Sequence, residues 1–451
     1  MDRLDILNRK DFVDKLVTLT ENISANKTNA SFAINGSWGC GKSFVLDMYE
    51  ERLNEIQFAE TANDKYFVIR YNCWKYDYYE EPLVAIVATM IDIINQKTKL
   101  WNDSEKKACV LGVLKAVGTT FLSMANGAIK DKTGVDIQAA FEVTQQKVGE
   151  ENAKIQKTHE YDVYFSFNQA LERLQKLIAE LSQDQTVVFM VDELDRCLPE
   201  YAIKVLERLH HLTEGVSNVI SVIAMDKEQL LSSVHQIFGF DDSAKYLKKF
   251  IQFYITLDKG VISEQFVDKH ADYVGLFDEN LITYEDSIEE FMQAVFSEIG
   301  AREQEQLIYK TKLIHNLLFK NPKDYGFMCI ELLIMVITSH YKNINKFTKW
   351  FERYYNVAEG KENPPFATFF EEKFNCVPAE DVVRTGKYYQ DIHTIRAEKS
   401  LYGAIAYMWF SLFLQDHHRA IIEIQNKDFR NQLNKNVEEL RKFIDSSKIV
   451  G

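Results

Sequence analysis

The sequence predicts an α/β protein built on a parallel β-sheet with helices on both faces. One observation is a series of short apolar runs with long helical stretches between them. The runs lie at residues 32–34, 66–71, 187–191, 219–224 and 253–257. A second observation is that these runs are continuous rather than alternating, which is typical of strands buried on both faces of a sheet. A third is that only helical patterns follow residue 265, which predicts a separate helical region.

The composition limits the classes of protein that this chain can belong to. It has 451 residues, of which 46% are hydrophobic, enough for two or three cores. The formal net charge of −14 does not favour nonspecific binding to nucleic acid, so nucleic acid is not indicated as a partner. The cysteines at 40, 73, 109, 197, 329 and 376 form no C-x-x-C pair. We interpret them as reduced thiols in a cytosolic protein without a zinc site.

The patterns along the chain predict three parts. We expect residues 1–77 and 186–262 to form the α/β core, residues 78–185 a large helical insertion, and residues 263–451 a helical C-terminal domain. Apolar residues at helical spacing predict a helix over residues 4–24, and the polar stretch 145–157 is also predicted to be helical.

Residues 108–129 form the longest apolar stretch that could be tested as a membrane span. Lys115 interrupts it and several hydroxyl side chains dilute it, so packing in a soluble protein or at an interface is favoured over spanning. Residues 401–414 are more apolar but too short to span, and we predict a buried helix there. The first residues carry acids and no apolar signal region. We therefore expect a cytoplasmic protein without a firm membrane anchor, and leave peripheral membrane association open.

A glycine-rich segment follows the first predicted strand and fits the phosphate-loop pattern G-x-x-x-x-G-K-[ST]. The expected nucleotide-binding residues are Gly36, Ser37, Trp38, Gly39, Cys40, Gly41, Lys42, Ser43 and Phe44. Glycines let backbone N–H groups point at phosphate oxygens at the start of a helix. Lys42 would supply charge to the β and γ phosphates, and Ser43 a hydroxyl to Mg²⁺. The alternative is a glycine turn that only begins a helix.

Two carboxylates follow the third apolar run, which the sequence reads as Thr-Val-Val-Phe-Met-Val-Asp-Glu. Asp192 is predicted to hold magnesium, and Glu193 to orient and deprotonate the attacking water. The alternative is that both acids cap a helix. A strand lies between the two motifs in sequence and a glutamate follows the aspartate, so we expect the ASCE type of P-loop NTPase. The chain lacks an Asn-Lys-x-Asp guanine signature in its core, which favours MgATP as the ligand.

The segment Asp-Glu-Leu-Asp-Arg-Cys at residues 192–197 resembles the Asp-Asp-Leu-Asp-Arg-Cys signature of the KAP family of P-loop NTPases, with Glu193 for the second aspartate. Residues 71–76 are similar to its Phe-Asn-Ala-Trp-x-Tyr element, with Cys73 where the family has alanine. Residues 246–252 resemble a later element of the family. Residues 342–347 are a weaker match to a basic helix that would act as a second sensor. Residues 5–12 look like the family's N-terminal box, which implies that Arg9 lies near the adenine.

The resemblance implies an ATPase in which binding and hydrolysis of MgATP drive a conformational change. It also implies a bacterial, soluble member acting in defence against phage or exclusion of plasmids, with operon-encoded protein partners. A homo-oligomer stays open. The alternative function is an ATP-gated scaffold with little turnover, and a direct nucleic-acid enzyme ranks third.

The roles of several further residues stay open at this point. Asp195 and Arg196 could relay between the γ-phosphate and a neighbouring subunit, or pair with each other at the start of the next helix. Asp226 could sense phosphate or cap a helix. Lys249 is more readily a solvated side chain than a finger acting on a neighbour. Trp74 and Tyr76 are favoured as packing residues.

Overall fold

The computed structural model describes residues 5–60, 64–79, 81–96, 104–124, 160–240, 242–258, 265–284, 287–296, 299–339, 401–413 and 426–450. The chain divides into two compact units. One unit is Lys10–Asp258, and the other combines Met1–Arg9 with Lys259–Gly451. The predicted helical stretch at 145–157 and the predicted second sensor at 342–347 lie outside the described residues.

Five strands in the described part of the first unit form one sheet. They are β1 (Ala30–Asn35), β2 (Tyr66–Asn72), β3 (Thr186–Asp192), β4 (Val219–Met225) and β5 (Phe253–Thr256). All pairings are parallel, and the order across the sheet is β2-β3-β4-β1-β5. The predicted parallel α/β sheet is thus confirmed. Strand β4 lies between β1 and β3, the strands that lead into the glycine-rich segment and the two acids.

The strand register brings the polar residues that follow the strands to one edge of the sheet. Asn72 at the end of β2 is paired with Asp192 at the end of β3. Asn35 at the end of β1 is paired with Met225 at the end of β4. Every residue of β3 and β4 is buried, as continuous apolar runs predict, whereas β5 lies at the edge and is partly exposed.

Helices cover both faces of this sheet. They are α1 (Lys10–Ala25), α2 (Lys42–Glu55), α3 (Pro82–Gln96), α4 (Ser104–Met124), α5 (Glu160–Asp184), α6 (Pro199–Thr213), α7 (Lys227–Phe238) and α8 (Ser243–Leu247). Neighbouring strand residues point to opposite faces, so Val68 packs with α1 and α2 while Phe67 and Ile69 pack with α3, α5 and α6. Between β2 and β3, the described residues form helices α3, α4 and α5, where the sequence predicts a helical insertion over residues 78–185.

The first helix begins later than its pattern predicts. Apolar spacing indicates a helix from residue 4, but α1 begins at Lys10. Asn8 has a φ of 50°, in the left-handed region that a right-handed helix does not use. The Asp5 side chain accepts the backbone N–H of Arg9, which fixes this turn. Ile6 and Leu7 are buried in the apolar cluster of the second unit.

The described part of the second unit is helical. Its helices are α9 (Gln265–Lys269), α10 (Ala271–Val274), α11 (Ile288–Phe296), α12 (Ala301–Leu318), α13 (Tyr325–Ser339), α14 (Leu401–Phe413) and α15 (Lys427–Val450). The predicted buried helix near residue 401 is therefore observed, and its Trp409 is fully buried. Among the described helices, none is both long enough and apolar enough to cross a membrane.

The core of this unit contains a buried acid–base group. Glu331 is fully buried on α13, and its two oxygens lie 2.9 and 3.0 Å from Nδ1 of His315 on α12. The hydroxyl of Tyr273 donates to the same carboxylate at 3.3 Å. Burial raises the pKa of Glu331 to about 7, while His315 and Tyr273 act to lower it.

Candidate nucleotide site

The glycine-rich segment forms a tight loop between β1 and α2. Gly39 and Gly41 have φ values of 83° and 93°, which favour glycine over residues with a Cβ atom. Gly36 is needed for a different reason, because a Cβ there would lie 2.5 Å from Sγ of Cys40 and 3.1 Å from the carbonyl oxygen of Leu257. Cys40 is buried, while Ser37 and Trp38 are exposed and Phe44 is half-buried. The backbone of the loop therefore has a specific conformation that requires glycine at these three positions.

Lys42, the first residue of α2, lies over the loop that precedes it. Its Nζ donates to the carbonyl oxygens of Gly36 at 2.7 Å and Ser37 at 3.3 Å. The same Nζ lies 3.6 Å from Oδ2 of Asp195, and both side chains are almost wholly buried. The lysine charge is therefore directed into the loop, where the sequence predicts phosphate.

Asp195 connects the loop to the neighbouring strands. Its Oδ2 accepts the indole N–H of Trp38 at 2.8 Å and the backbone N–H of Asp226 at 3.1 Å. Because Trp38 lies in the loop and Asp226 follows β4, this one carboxylate joins both to the turn after β3. The sequence singled out Asp195 but did not predict these partners.

Ser43 and Asp192 meet at the base of the loop. Oγ of Ser43 donates to Oδ1 of Asp192 at 3.2 Å, although the two residues are 149 positions apart. Asp192 is 3% exposed, and its Oδ1 also accepts the backbone N–H of Glu193 at 2.9 Å. The structure thus brings together the hydroxyl and the carboxylate that the sequence predicts as metal ligands.

Arg70 is a site residue that the sequence analysis missed. It lies in the middle of β2, and its Nη2 donates to Oδ2 of Asp192 at 2.6 Å. The same nitrogen lies 3.4 Å from a carboxylate oxygen of Asp47 on α2. The available signal was a charged residue inside an otherwise apolar strand, since such residues are rarely buried unless paired.

Glu193 has an unusual backbone conformation and two side-chain partners. Its φ of 58° and ψ of 28° are left-handed, which turns the chain sharply after β3. Its Oε2 accepts from the amide of Asn72 at 2.9 Å, and its Oε1 pairs with Arg196 at 2.7 Å. The guanidinium of Arg196 also lies over the ring of Trp74, 5.6 Å from its centre. Both carboxylate oxygens of the predicted base are therefore held.

Two thiols lie behind this turn. Cys73 follows β2 and donates its backbone N–H to the carbonyl oxygen of Asp192 at 2.9 Å. The thiol of Cys197 donates to the carbonyl oxygen of Glu193 at 3.5 Å. Burial, then contact with Cys197 and the charges of the nearby aspartates, raises the pKa of the Cys73 thiol well above its usual range. The five described cysteines are free thiols.

The structure also gives the contacts of the residues whose roles were open. Asp195 pairs with Lys42 and Arg196 pairs with Glu193, so the structure gives the two residues separate partners. The side chain of Asp226 accepts the N–H groups of Glu228 and Gln229 and caps α7. Its role as a phosphate sensor stays a prediction.

The aromatic and basic residues singled out by the sequence differ in exposure. Tyr76 is buried, as a packing residue would be, whereas Trp74 is 55% exposed. The ammonium of Lys249 lies 5.1 Å from the ring centre of Tyr246. Arg9 belongs to the other compact unit, where it is buried, and its role beside an adenine stays a prediction.

The donor set fits a magnesium ion. A serine hydroxyl and one carboxylate are hard oxygen ligands, and Mg²⁺ is usually held by one or two carboxylates together with substrate phosphates. No group of three or more His, Cys, Asp or Glu residues that could hold a metal occurs in the described part of the chain. The hydroxyl of Ser43 and the carboxylate of Asp192 suit a magnesium ion whose other ligands are phosphate oxygens and water.

A sheet with this strand order, a glycine-rich loop after β1 and acids after β3 defines an ASCE-type P-loop NTPase, a class of nucleotide-binding proteins. A comparison with protein families matches the KAP family P-loop domain over residues 9–266. The chain belongs to the KAP family, which confirms the resemblance seen in the sequence.

No curated protein matches the chain. Among solved structures, the ORC2 protein of Aeropyrum pernix, in its ADPNP–ADP complexes, is similar over 100% of this chain and 96% of that chain. The sequence identity is 10% and the TM-score is 0.37, a likeness that carries no argument about function.

Proposed function

We propose that this protein binds MgATP in the loop formed by residues 36–44 and hydrolyses it, and that turnover drives a conformational change. One observation carries the proposal: the hydroxyl of Ser43 and the carboxylate of Asp192 lie 3.2 Å apart. Ser43 belongs to the phosphate loop and Asp192 to the acidic motif after β3, and a P-loop NTPase requires both motifs. A glycine turn that only began a helix would not need the acidic motif.

The roles of the chain's own residues follow from this arrangement. The loop N–H groups and Lys42 bind the phosphates, and Ser43 and Asp192 hold the metal. A bound Mg²⁺ would supply charge that stabilises the phosphate oxygens during transfer. Glu193 follows Asp192 directly, so it can orient a water molecule and accept its proton. Lys42 must exchange its loop carbonyls and Asp195 for phosphate oxygens.

Replacing Glu193 with Gln tests this assignment, because glutamine keeps the size of the side chain but cannot accept the proton. We expect turnover of ATP by the full chain to fall by at least about 100-fold, the contribution typical of a general base, while nucleotide binding persists. Lys42→Ala should lose nucleotide binding itself. Glu200→Gln, an exposed glutamate in the first turn of α6, is the matched control and should behave as the wild type. Wild-type turnover by Glu193→Gln would refute the assignment of the base.

A second candidate, an ATP-gated scaffold with little turnover, is favoured by the contacts of Glu193. Both of its oxygens are already bound, by Asn72 and by Arg196, so the base is restrained until one contact opens. On this account a partner protein completes the site. Asn72→Ala should then raise the basal turnover of the isolated protein several-fold without changing nucleotide affinity. Unchanged or reduced turnover would count against a restrained base.

We place this ATPase in bacterial defence against phage or exclusion of plasmids, working in the cytoplasm with operon-encoded partners. This setting is supported by membership of the KAP family. A phage-plating assay on cells that express the wild type, Lys42→Ala or Glu193→Gln tests it. Protection that needs Lys42 but not Glu193 would favour the scaffold. Protection that needs both would favour the ATPase, and no protection would remove the proposed setting.

A further inference from the structure

Arg70 is a charged residue inside the apolar strand β2. The residues on either side of Arg70 in β2 are buried and apolar. Arg70 is paired in register with Met190 of β3. Side chains two residues apart on a strand share a face. Arg70 therefore points to the same face as Asn72, whose register partner is Asp192. Its side chain is 16% exposed.

The guanidinium lies between the two elements that supply the predicted metal ligands. Nη2 donates to Oδ2 of Asp192 at 2.6 Å and lies 3.5 Å from the backbone oxygen of Ser43. On the side of α2 it also faces Asp47, at 3.4 Å. Nη1 is buried and has no hydrogen-bond partner within the described residues. Arg70 thus contacts both predicted metal ligands, Ser43 at its backbone oxygen and Asp192 at its carboxylate.

Asp192 divides its two oxygens between different partners. Oδ1 accepts from Ser43 and from the backbone of Glu193, while Oδ2 accepts from Arg70. A carboxylate that is almost wholly buried needs a compensating charge, and Arg70 supplies it. The arginine also fixes the rotation of the carboxylate, so Oδ1 is the oxygen directed at the serine hydroxyl.

We propose that Arg70 is a positioning residue that acts as the counter-ion of Asp192 in the absence of metal and sets the Mg²⁺ concentration that the site requires. The proposal rests on the proposed function, because it concerns the same metal site. A guanidinium and a divalent cation that share one carboxylate repel each other, so Arg70 lowers the affinity for the metal. Arg70 also keeps the metal-free carboxylate of Asp192 oriented. An arginine with a purely structural role would do the same but would not change the affinity for the metal.

Arg70→Gln in the full chain tests this proposal, because glutamine keeps a polar side chain in the strand but removes the guanidinium and its charge. The first measurement is the Mg²⁺ concentration that half-saturates binding of a fluorescent, non-hydrolysable ATP analogue. We expect it to fall roughly fivefold, within the range of couplings between groups in contact. The second is the thermal midpoint without metal or nucleotide, which should fall by at least about 3 °C. Arg52→Gln removes an exposed pair with Asp14 and should change neither measurement.

A half-saturating Mg²⁺ concentration within about twofold of the wild type would overturn the proposal even if the thermal midpoint falls. Wild-type protein that does not bind the analogue with Mg²⁺ would instead refute the proposed function. The pair itself can then still be tested by unfolding.

A double variant keeps the test decisive if Arg70→Gln does not fold. The variant Arg70→Gln/Asp192→Asn removes both charges, so no buried charge is left unpaired. We expect the double variant to fold where Arg70→Gln does not and, if both fold, to unfold at the higher temperature. A double variant that is no more stable than Arg70→Gln would show that the arginine does not act through Asp192, and would overturn the inference.

Discussion

Gly36 offers a sharp test of the loop geometry, because the effect of one methyl group can be worked out from the structure. In Gly36→Ala the new Cβ would lie 2.5 Å from Sγ of Cys40 and 3.1 Å from the carbonyl oxygen of Leu257. Favourable contacts between such atoms lie near 3.5–4.0 Å, so the loop must move by about 1 Å. Cys40 is 1% exposed and cannot turn aside into solvent.

The strain should appear in both stability and binding. Overpacking of this kind costs about 1–3 kcal/mol. The displaced segment carries the carbonyl oxygen of Gly36, which accepts from Lys42, so the phosphate-binding lysine moves with it. If about 1.4 kcal/mol of this strain falls on the bound state, ATP affinity falls about 10-fold, which is the loss that we expect.

The assay combines thermal unfolding with titration of a fluorescent ATP analogue. Cys40→Ala in the Gly36→Ala background removes the nearer of the two clashes and should restore about half of each loss. Gly112→Ala is the matched control, because no atom lies within 4 Å of a Cβ built there in the middle of α4. Gly36→Ala with the wild-type affinity, or no rescue by Cys40→Ala, would refute the reasoning.

Two further predictions concern the cap of α7 and the buried acid of the second unit. Asp226→Ala should lower the free energy of unfolding by about 1 kcal/mol, because two backbone N–H groups lose their cap, and urea denaturation that shows no loss would contradict this. The folded-state pKa of Glu331 is raised from 4.5 to about 7, so its contribution to stability is fully present below pH 4.5 and is lost as the pH rises to 7. The free energy of unfolding of Glu331→Gln, relative to that of the wild type, should therefore rise by on the order of 3 kcal/mol between pH 5 and pH 8. The same difference between variant and wild type at both pH values would exclude a raised pKa.

Much of the fold could be predicted because its signals are local. Four of the five strands contain their whole predicted apolar run, β5 ends one residue before its run does, and no strand end differs from the prediction by more than two residues. The phosphate loop could be found for the same reason, since its glycines, Lys42 and Ser43 are consecutive. The start of α1 was missed because the apolar spacing continues through residues 4–9, while the φ of Asn8 interrupts the helix.

The rest of the candidate site depends on which strands are neighbours, and local patterns do not contain that information. Arg70 and Asn72 reach Asp192 and Glu193 only because β2 pairs with β3 in one particular register. A shift of one residue would turn Arg70 to the opposite face of the sheet. The partners of Asp195 likewise come from the loop after β1 and the end of β4, which no spacing in the sequence relates to it.

Strand β4, which lies between β1 and β3, sets the width of the predicted nucleotide cleft. Adjacent strands are about 4.8 Å apart, so the chain segments that carry Ser43 and Asp192 leave the sheet about 10 Å from each other. Main-chain hydrogen bonds from β4 to both neighbouring strands hold that gap. Substitutions in the apolar core should consequently weaken the whole sheet before they change the opening that receives the phosphates.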